Sequence, residues 1–281
     1  MRFEGLKKIQ HYFKAEEIDF ERCSGFEILN DNNALQQIDE VNEKLKTITC
    51  LEKTFFLNQD QIAKFGLQKT EFLVENPCEG SLHSGKLLQK LLEKSQSLGV
   101  EFLFGTEVLK ILEDENKVQI ITQFFQIETQ KLVIATNAFA NDLISEVDLI
   151  PVRGQILLTE PLENLQLKGT FHYDEGYIYF RNLGNRILLG GARNQDFETE
   201  ETTALETTEF LQNYLENFLK EVILPNQEFE ISQRWSGIMA MGKEKSPIVK
   251  QISKRQITAV RLSGMGVALA PKIGELVGDL L

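Results

Sequence analysis

Ile257-Thr258-Ala259-Val260-Arg261-Leu262-Ser263-Gly264-Met265-Gly266-Val267-Ala268-Leu269-Ala270-Pro271 is the stretch whose reading decides the fold. Residues 257–262 form an apolar, β-branched run that reads as a strand. Ser263 to Gly266 make a glycine turn, and the following segment carries Val267, Leu269, Ile273, Leu276, Val277 and Leu280 at helical spacing. A strand, a glycine turn and a helix in that order build a corner where backbone N–H groups meet a ligand at the positive end of a helix. Taken alone the corner is open between ligand binding and tight turn packing, because a G-x-G-x-x-G match needs glycine where the chain has Leu269.

Working outward, Ser84 is expected to cap a helix that places Leu87, Leu88, Leu91 and Leu92 on one side and ends at Gly99. Strands are expected at 100–104, 106–112, 117–122, 124–129 and 131–135, with a turn at Asp114-Glu115-Asn116. Beyond Pro151 come strands at 155–159, 177–181 and 186–190, the last two joined by a hairpin loop at 182–185. A helix near 204–220 and a strand at 229–235 precede the glycine corner, while residues 1–75 mix short amphipathic helices, such as 39–46, with a strand at 26–29. This is a mixed α/β (α+β) layout. Gly190-Gly191 reads as a bulge or a close backbone approach at a strand end.

The 281 residues allow about two domains. A net charge of −12 with no Lys/Arg cluster argues against nucleic acid or an anionic membrane as a partner. The charged start lacks the apolar core of a signal peptide and no segment approaches a bilayer span, so a cytoplasmic location is expected. Cys23, Cys50 and Cys78 are widely spaced, and His11, His83 and His172 lie far apart, which leaves little material for a metal site or a catalytic triad.

Several blocks in fixed order resemble the FAD-dependent oxidoreductases of the D-amino acid oxidase and glycine oxidase superfamily. They are Glu79-Gly80-Ser81-Leu82-His83-Ser84-Gly85-Lys86-Leu87, then Gly99-Val100 through Thr106-Glu107-Val108-Leu109-Lys110-Ile111, then Lys131-Leu132-Val133-Ile134-Ala135-Thr136-Asn137-Ala138-Phe139. Pro151-Val152-Arg153-Gly154-Gln155, Gly176-Tyr177-Ile178-Tyr179-Phe180-Arg181 and Leu189-Gly190-Gly191-Ala192-Arg193 resemble substrate-domain strands. Trp235-Ser236-Gly237-Ile238-Met239 and Ser246-Pro247-Ile248 lead to the glycine corner.

The resemblance implies an incomplete FAD-binding, Rossmann-like domain (76–147 and 240–281) interleaved with a mixed or antiparallel β-sheet substrate domain (1–75 and 148–239). The family's opening strand, G-x-G-x-x-G turn and helix have no counterpart here, and the lost layer is expected to uncover apolar surface around Ile134 and Val260. For the cofactor, FAD, the resemblance implies that Val108, at a strand end, meets the adenine and that Ala135, Thr136 and Asn137 pass the pyrophosphate. Gly264, Met265, Gly266 and Val267 would offer helix-start N–H groups to the flavin ring. Tyr177 matches a tyrosine that holds the substrate carboxylate in glycine oxidase, whereas two arginines of that enzyme correspond to Met239 and Gly264. Arg153, Arg181 and Arg193 remain as anion partners for a small-molecule amine or amino acid. The implied chemistry is oxidation of a C–N bond by hydride transfer to flavin N5. The alternatives are a non-catalytic remnant or gene fragment that keeps the fold without FAD and, with less support, an NAD-dependent dehydrogenase.

Overall fold

The computed structural model describes residues 1–145 and 147–281, with the side chains of Asn33 and Ala34 outside the description. In chain order the strands are β1 (Gly25–Leu29), β2 (Phe56–Leu57), β3 (Phe72–Asn76), β4 (Val108–Glu113), β5 (Val118–Thr122), β6 (Gln126–Thr129) and β7 (Leu132–Ile134). They continue as β8 (Ile150–Thr159), β9 (Thr170–Tyr173), β10 (Ile178–Leu183), β11 (Arg186–Gly191), β12 (Ile231–Met241), β13 (Ile248–Gln251) and β14 (Gln256–Val260). One large sheet runs β12-β8-β11-β10-β9-β1-β3-β2, and it is antiparallel except where β1 meets β9. Two three-stranded sheets accompany it, β13-β14-β7 and the meander β4-β5-β6.

Side chains alternate across a strand, so each strand of the large sheet divides its residues between two faces. One face is the main core. Phe26, Ile28, Leu157, Phe171, Ile178, Phe180, Ile187 and Leu189 pack there with Leu211, Leu215 and Leu219 of the helix Glu209–Phe218 and the turn after it. Three rings stack through this layer, Phe26 on Phe171 at 4.9 Å and Phe171 on Phe180 at 4.7 Å between centroids. On β8 the same alternation sends Arg153 and Gln155 inward with Leu157. Arg153 donates Nε to Glu200 Oε2 (3.1 Å) and Nη2 to Glu200 Oε1 (2.7 Å), and Gln155 Nε2 donates to the same Oε1 (2.9 Å). Gln155 also exchanges hydrogen bonds with Thr208 at the start of the helix.

Several sequence expectations shift. Residues 100–104 form no strand, because no neighbour offers them a ladder, and Phe102 and Phe104 stack on each other at 5.6 Å instead. His83 rather than Ser84 caps the helix Ser84–Ser97, its Nδ1 accepting from Lys86 N at 3.3 Å. The helix expected from 204 starts at Glu209, and the strand expected to end at 235 continues to Met241 along ten paired positions with β8. Ile134 and Val260 are not uncovered: Ala138, Ala140, Leu149 and Ala240 pack over them. Exposed apolar side chains include Leu88, Leu98, Leu103, Phe104 and Phe124, and, past the ends of β7 and β14, Phe139 and Val267. Cys23, Cys50 and Cys78 are free thiols, and among the described residues no helix is long and apolar enough to cross a membrane.

The side chains of Arg153 and Glu200 are 2% and 1% exposed, so removing one partner strands a buried charge. Glu200→Ala is expected to destabilise the protein by about 3–5 kcal/mol, and a joint Arg153→Met, Glu200→Leu replacement by far less. Urea unfolding of the two variants checks this; equal losses would show that the pair acts through packing alone.

Candidate active site

The glycine corner is held by a side chain from another strand. β7 and β14 are parallel neighbours, Val133 facing Ile257 and Ile134 facing Thr258, so both strands end at the same edge. Just past β7, Asn137 takes a positive φ of 47° and its Oδ1 accepts from the N–H groups of Arg261 (3.1 Å) and Leu262 (3.4 Å). The segment Ala135-Thr136-Asn137 and the turn Ser263-Gly264-Met265-Gly266 are thereby clasped at the carboxyl ends of parallel strands, the edge where open α/β sheets take ligands. Gly264 has φ 75°, and the helix Gly266–Leu280 starts directly beyond it. Among the described residues Ser263 Oγ is buried without a hydrogen-bond partner, and Val267 is exposed, so the turn has an unspent polar atom and an open side. These residues fit a dinucleotide cofactor. Val108 differs from expectation: it opens β4 instead of closing a strand, and it sits in the meander, a different sheet from the β7 and β14 strands that lead to Ala135 and Gly264.

The face of the large sheet opposite the main core supplies the other half of the site. A Cβ added at Gly154 would lie 2.9 Å from Met239 Cε and 3.5 Å from the Tyr179 hydroxyl, and one at Gly264 would lie 3.4 Å from Met239 Sδ. At Gly190 it would meet the Tyr179 ring at 2.8 Å, while the space beside Gly237 is open. The ring of Tyr179 therefore crosses Gly190 toward Gly154, where the Met239 thioether covers the strand and reaches the glycine turn. This recess joins both parts of the chain. Met239 and Gly264 meet in it, and neither carries charge. Burial pushes the Tyr179 hydroxyl up to about 12, so it stays protonated, and among the described residues it has no hydrogen-bond partner.

One register row crosses this face, with Glu27 opposite His172, His172 opposite Tyr179, Tyr179 opposite Gly190, Gly190 opposite Ile156 and Ile156 opposite Trp235. His172 Nδ1 lies 3.7 Å from Glu27 Oε2. Burial pushes the Glu27 carboxyl up to about 7, aided by the charge of Glu79 and opposed by Arg2. Burial also holds His172 below its ordinary value, against the pull of Glu79. Each group thus favours its neutral form: the carboxyl holds its proton up to about pH 7, above the range in which the imidazole takes one up, so the contact is not a standing ion pair at any pH.

The arginines separate. Arg153 is corrected as an anion partner, because strand alternation turns it into the core and Glu200 occupies its fork. Arg181 faces the site side but donates Nη1 to the carbonyl of Leu82 at 3.1 Å, and burial holds it below its ordinary value. Tyr177 lies in the turn just before β10, with the Arg193 guanidinium 5.1 Å from its ring centroid. Sequence reading passed over Tyr179, Glu27 and His172 as site residues; the strand expected at 177–181 contains Tyr179, two residues beyond the Tyr177 that the resemblance singles out. Two surface depressions of about 390 and 480 Å³ lie elsewhere, around Asp148 with Arg261 and around Ile111 with Gln256, and neither borders the recess.

From the ordinary value of 4.5 up to about 7, folded Glu27 keeps a proton that the unfolded chain has lost, so its contribution to stability falls as pH rises through that window. His172 has the opposite sign: its contribution rises with pH up to the ordinary value of 6.5. Glu27→Gln is therefore expected to gain about 1 kcal/mol over the wild type between about pH 5 and 8, less than the full shift because the carboxyl is partly open to water. Thermal unfolding across that range tests it, and parallel profiles would contradict it.

Among solved structures, L-proline dehydrogenase from P. horikoshii superimposes with a TM-score of 0.84 at 21% identity, covering 99% of this chain and 76% of that one. Glycine oxidase from Geobacillus kaustophilus gives 0.83 at 19% identity, with the same coverage. A probable oxidoreductase OrdL of Rhizobium meliloti is 23% identical over 81% of this chain, and a D-amino acid dehydrogenase of Vibrio atlanticus 24% identical over 68%. The chain spans about half the length of these two relatives, 53% and 46%. The family model described as FAD dependent oxidoreductase matches residues 1–280, which takes in both the clasped glycine corner and the sheet recess. With that match over nearly every residue, the chain belongs to the FAD-dependent oxidoreductase family.

Proposed function

We propose that the protein oxidises the C–N bond of an amine or amino acid, with hydride passing to N5 of a bound flavin. The observation that carries this reading is that Met239 lies against both Gly154 and the glycine turn, which sets the uncharged sheet face beside a helix start. Bound FAD would supply the two-electron acceptor. The chain's own residues position and polarise. N–H groups from Gly264 to Val267 would face the electron-accepting end of the ring, where the helix dipole favours negative charge. Ala135, Thr136 and Asn137 would run beside the pyrophosphate. Tyr179 would donate from its protonated hydroxyl, and Tyr177 would flank the substrate. In this reading residues 76–147 and 240–281 serve the cofactor, and 1–75 and 148–239 the substrate.

The recess also sets the substrate class. Met239 and Gly264 leave no guanidinium to hold an α-carboxylate next to the reacting carbon, while the thioether offers apolar contact worth about 1.5–3 kcal/mol. An unpaired buried carboxylate costs about 3 kcal/mol, roughly a hundredfold in kcat/KM. Secondary amines and long-chain amines are therefore expected to reduce the flavin of the holoprotein faster than glycine or D-alanine. A stopped-flow panel of these compounds decides the matter. If glycine or D-alanine reduces the flavin fastest and Tyr177→Phe slows it, the reading of the recess is wrong; a purified protein that takes up no added FAD overturns the oxidoreductase assignment itself.

A further inference from the structure

We propose that Arg193 is the anion anchor of this site and binds the carboxylate of a substrate that also carries an apolar group. The inference rests on the reading of the recess as a substrate site and adds the residue that receives the substrate's charged end. Arg193 begins a single 3-10 turn, Arg193–Gln195, after β11. Its guanidinium lies 5.1 Å from the ring centroids of both Tyr177 and Phe197, which meet edge-on at 5.8 Å. Aromatic contacts of this kind engage the cation without using its N–H donors. Among the described residues that fork has no hydrogen-bond or ion-pair partner, although the residue is half-buried.

The contrast with its neighbours is chemical. Arg153 is spent on Glu200, Arg181 on the Leu82 carbonyl, Arg234 on Gln212 and Glu216, and Arg261 on Asp148 and Ser246. Arg193 keeps its donors free in a fixed plane, the arrangement that accepts a carboxylate through two parallel hydrogen bonds. Its cradle is also braced. Asp196 Oδ1 caps the short helix Phe197–Glu200 by accepting from Thr199 N at 3.2 Å, and Glu200 at the far end is the buried partner of Arg153. The core ion pair thus holds in place the helix that presents Phe197 to Arg193, and Phe197, 50% exposed, gives an apolar wall beside the fork. Tyr177 closes the turn that leads into β10, two residues before Tyr179 on that strand. A substrate whose amine occupies the recess under Met239 therefore reaches Arg193 with a carboxylate set several bonds away, not with the α-carboxylate of glycine.

Benzoate is the probe, titrated calorimetrically into the purified protein with benzyl alcohol as its uncharged counterpart. Saturable benzoate binding is expected, weakened about tenfold or more by Arg193→Gln, with benzyl alcohol affected equally little in both proteins. Phe197→Ala is expected to weaken both ligands. Equal benzoate affinity in wild type and Arg193→Gln overturns the proposal, as does a loss caused by Arg181→Gln instead, or a folded wild type that shows no saturable binding. Arg193-dependent benzoate binding in a protein whose flavin no amine reduces would keep the anchor and reject the oxidation, so the two readings fail separately.

Discussion

The period-two alternation of β8 is the constraint on which the site depends. Paired along one edge with β12 and along the other with β11, this strand cannot slip by one residue without exchanging its faces. Arg153 and Gln155 are consequently committed to the core with Glu200 and Thr208, and Gly154 to the opposite face under Met239. A one-residue slip would place a guanidinium in the recess and bury a glycine, leaving Glu200 without its partner. The buried ion pair therefore locks the register as much as it contributes to stability, and it leaves the recess free of charge from β8.

The second half of the site depends on a contact that bridges 124 positions of the chain, the Asn137 side chain reaching the backbone after β14. Without it the turn at Gly264 would hang from one strand; with it, two strand ends and a helix start share one edge. Charge follows the same division. The glycine corner offers N–H groups and the dipole of the helix, while the sheet row that runs toward Glu27 offers groups held near neutrality by burial. A cofactor with anionic parts suits the first, and a substrate bearing a neutral amine suits the second.

Much of this was legible in the chain where the signal is local. The glycine corner combines a β-branched run, two glycines and a helical repeat within fifteen residues, and the structure has strand, turn and helix there. What escaped was set by distant partners. Nothing local marks Arg153 and Gln155 as core residues, and Arg153 reads as an anion partner; Glu200, Thr208 and Gln212, far along the chain, turn that face into a satisfied core. Residues 100–104 have the composition of a strand and no strand to pair with. Glu27 looked like one acidic residue in a short β-run; its titration is set by burial and by Glu79, which the fold brings near.

The central claim is that the glycine turn and the sheet recess form one site that seats a flavin. Trp235, the chain's single tryptophan, lies on the recess face opposite Ile156, so its emission reports on that face. Titrating FAD into the protein while following Trp235 fluorescence is the most direct measurement. Saturable quenching at one FAD per chain is expected, and Gly264→Leu should abolish it, since the position combines a φ of 75° with Met239 Sδ 3.4 Å from an added Cβ. Absence of saturable quenching in the wild type, or unchanged quenching in Gly264→Leu, would contradict the account.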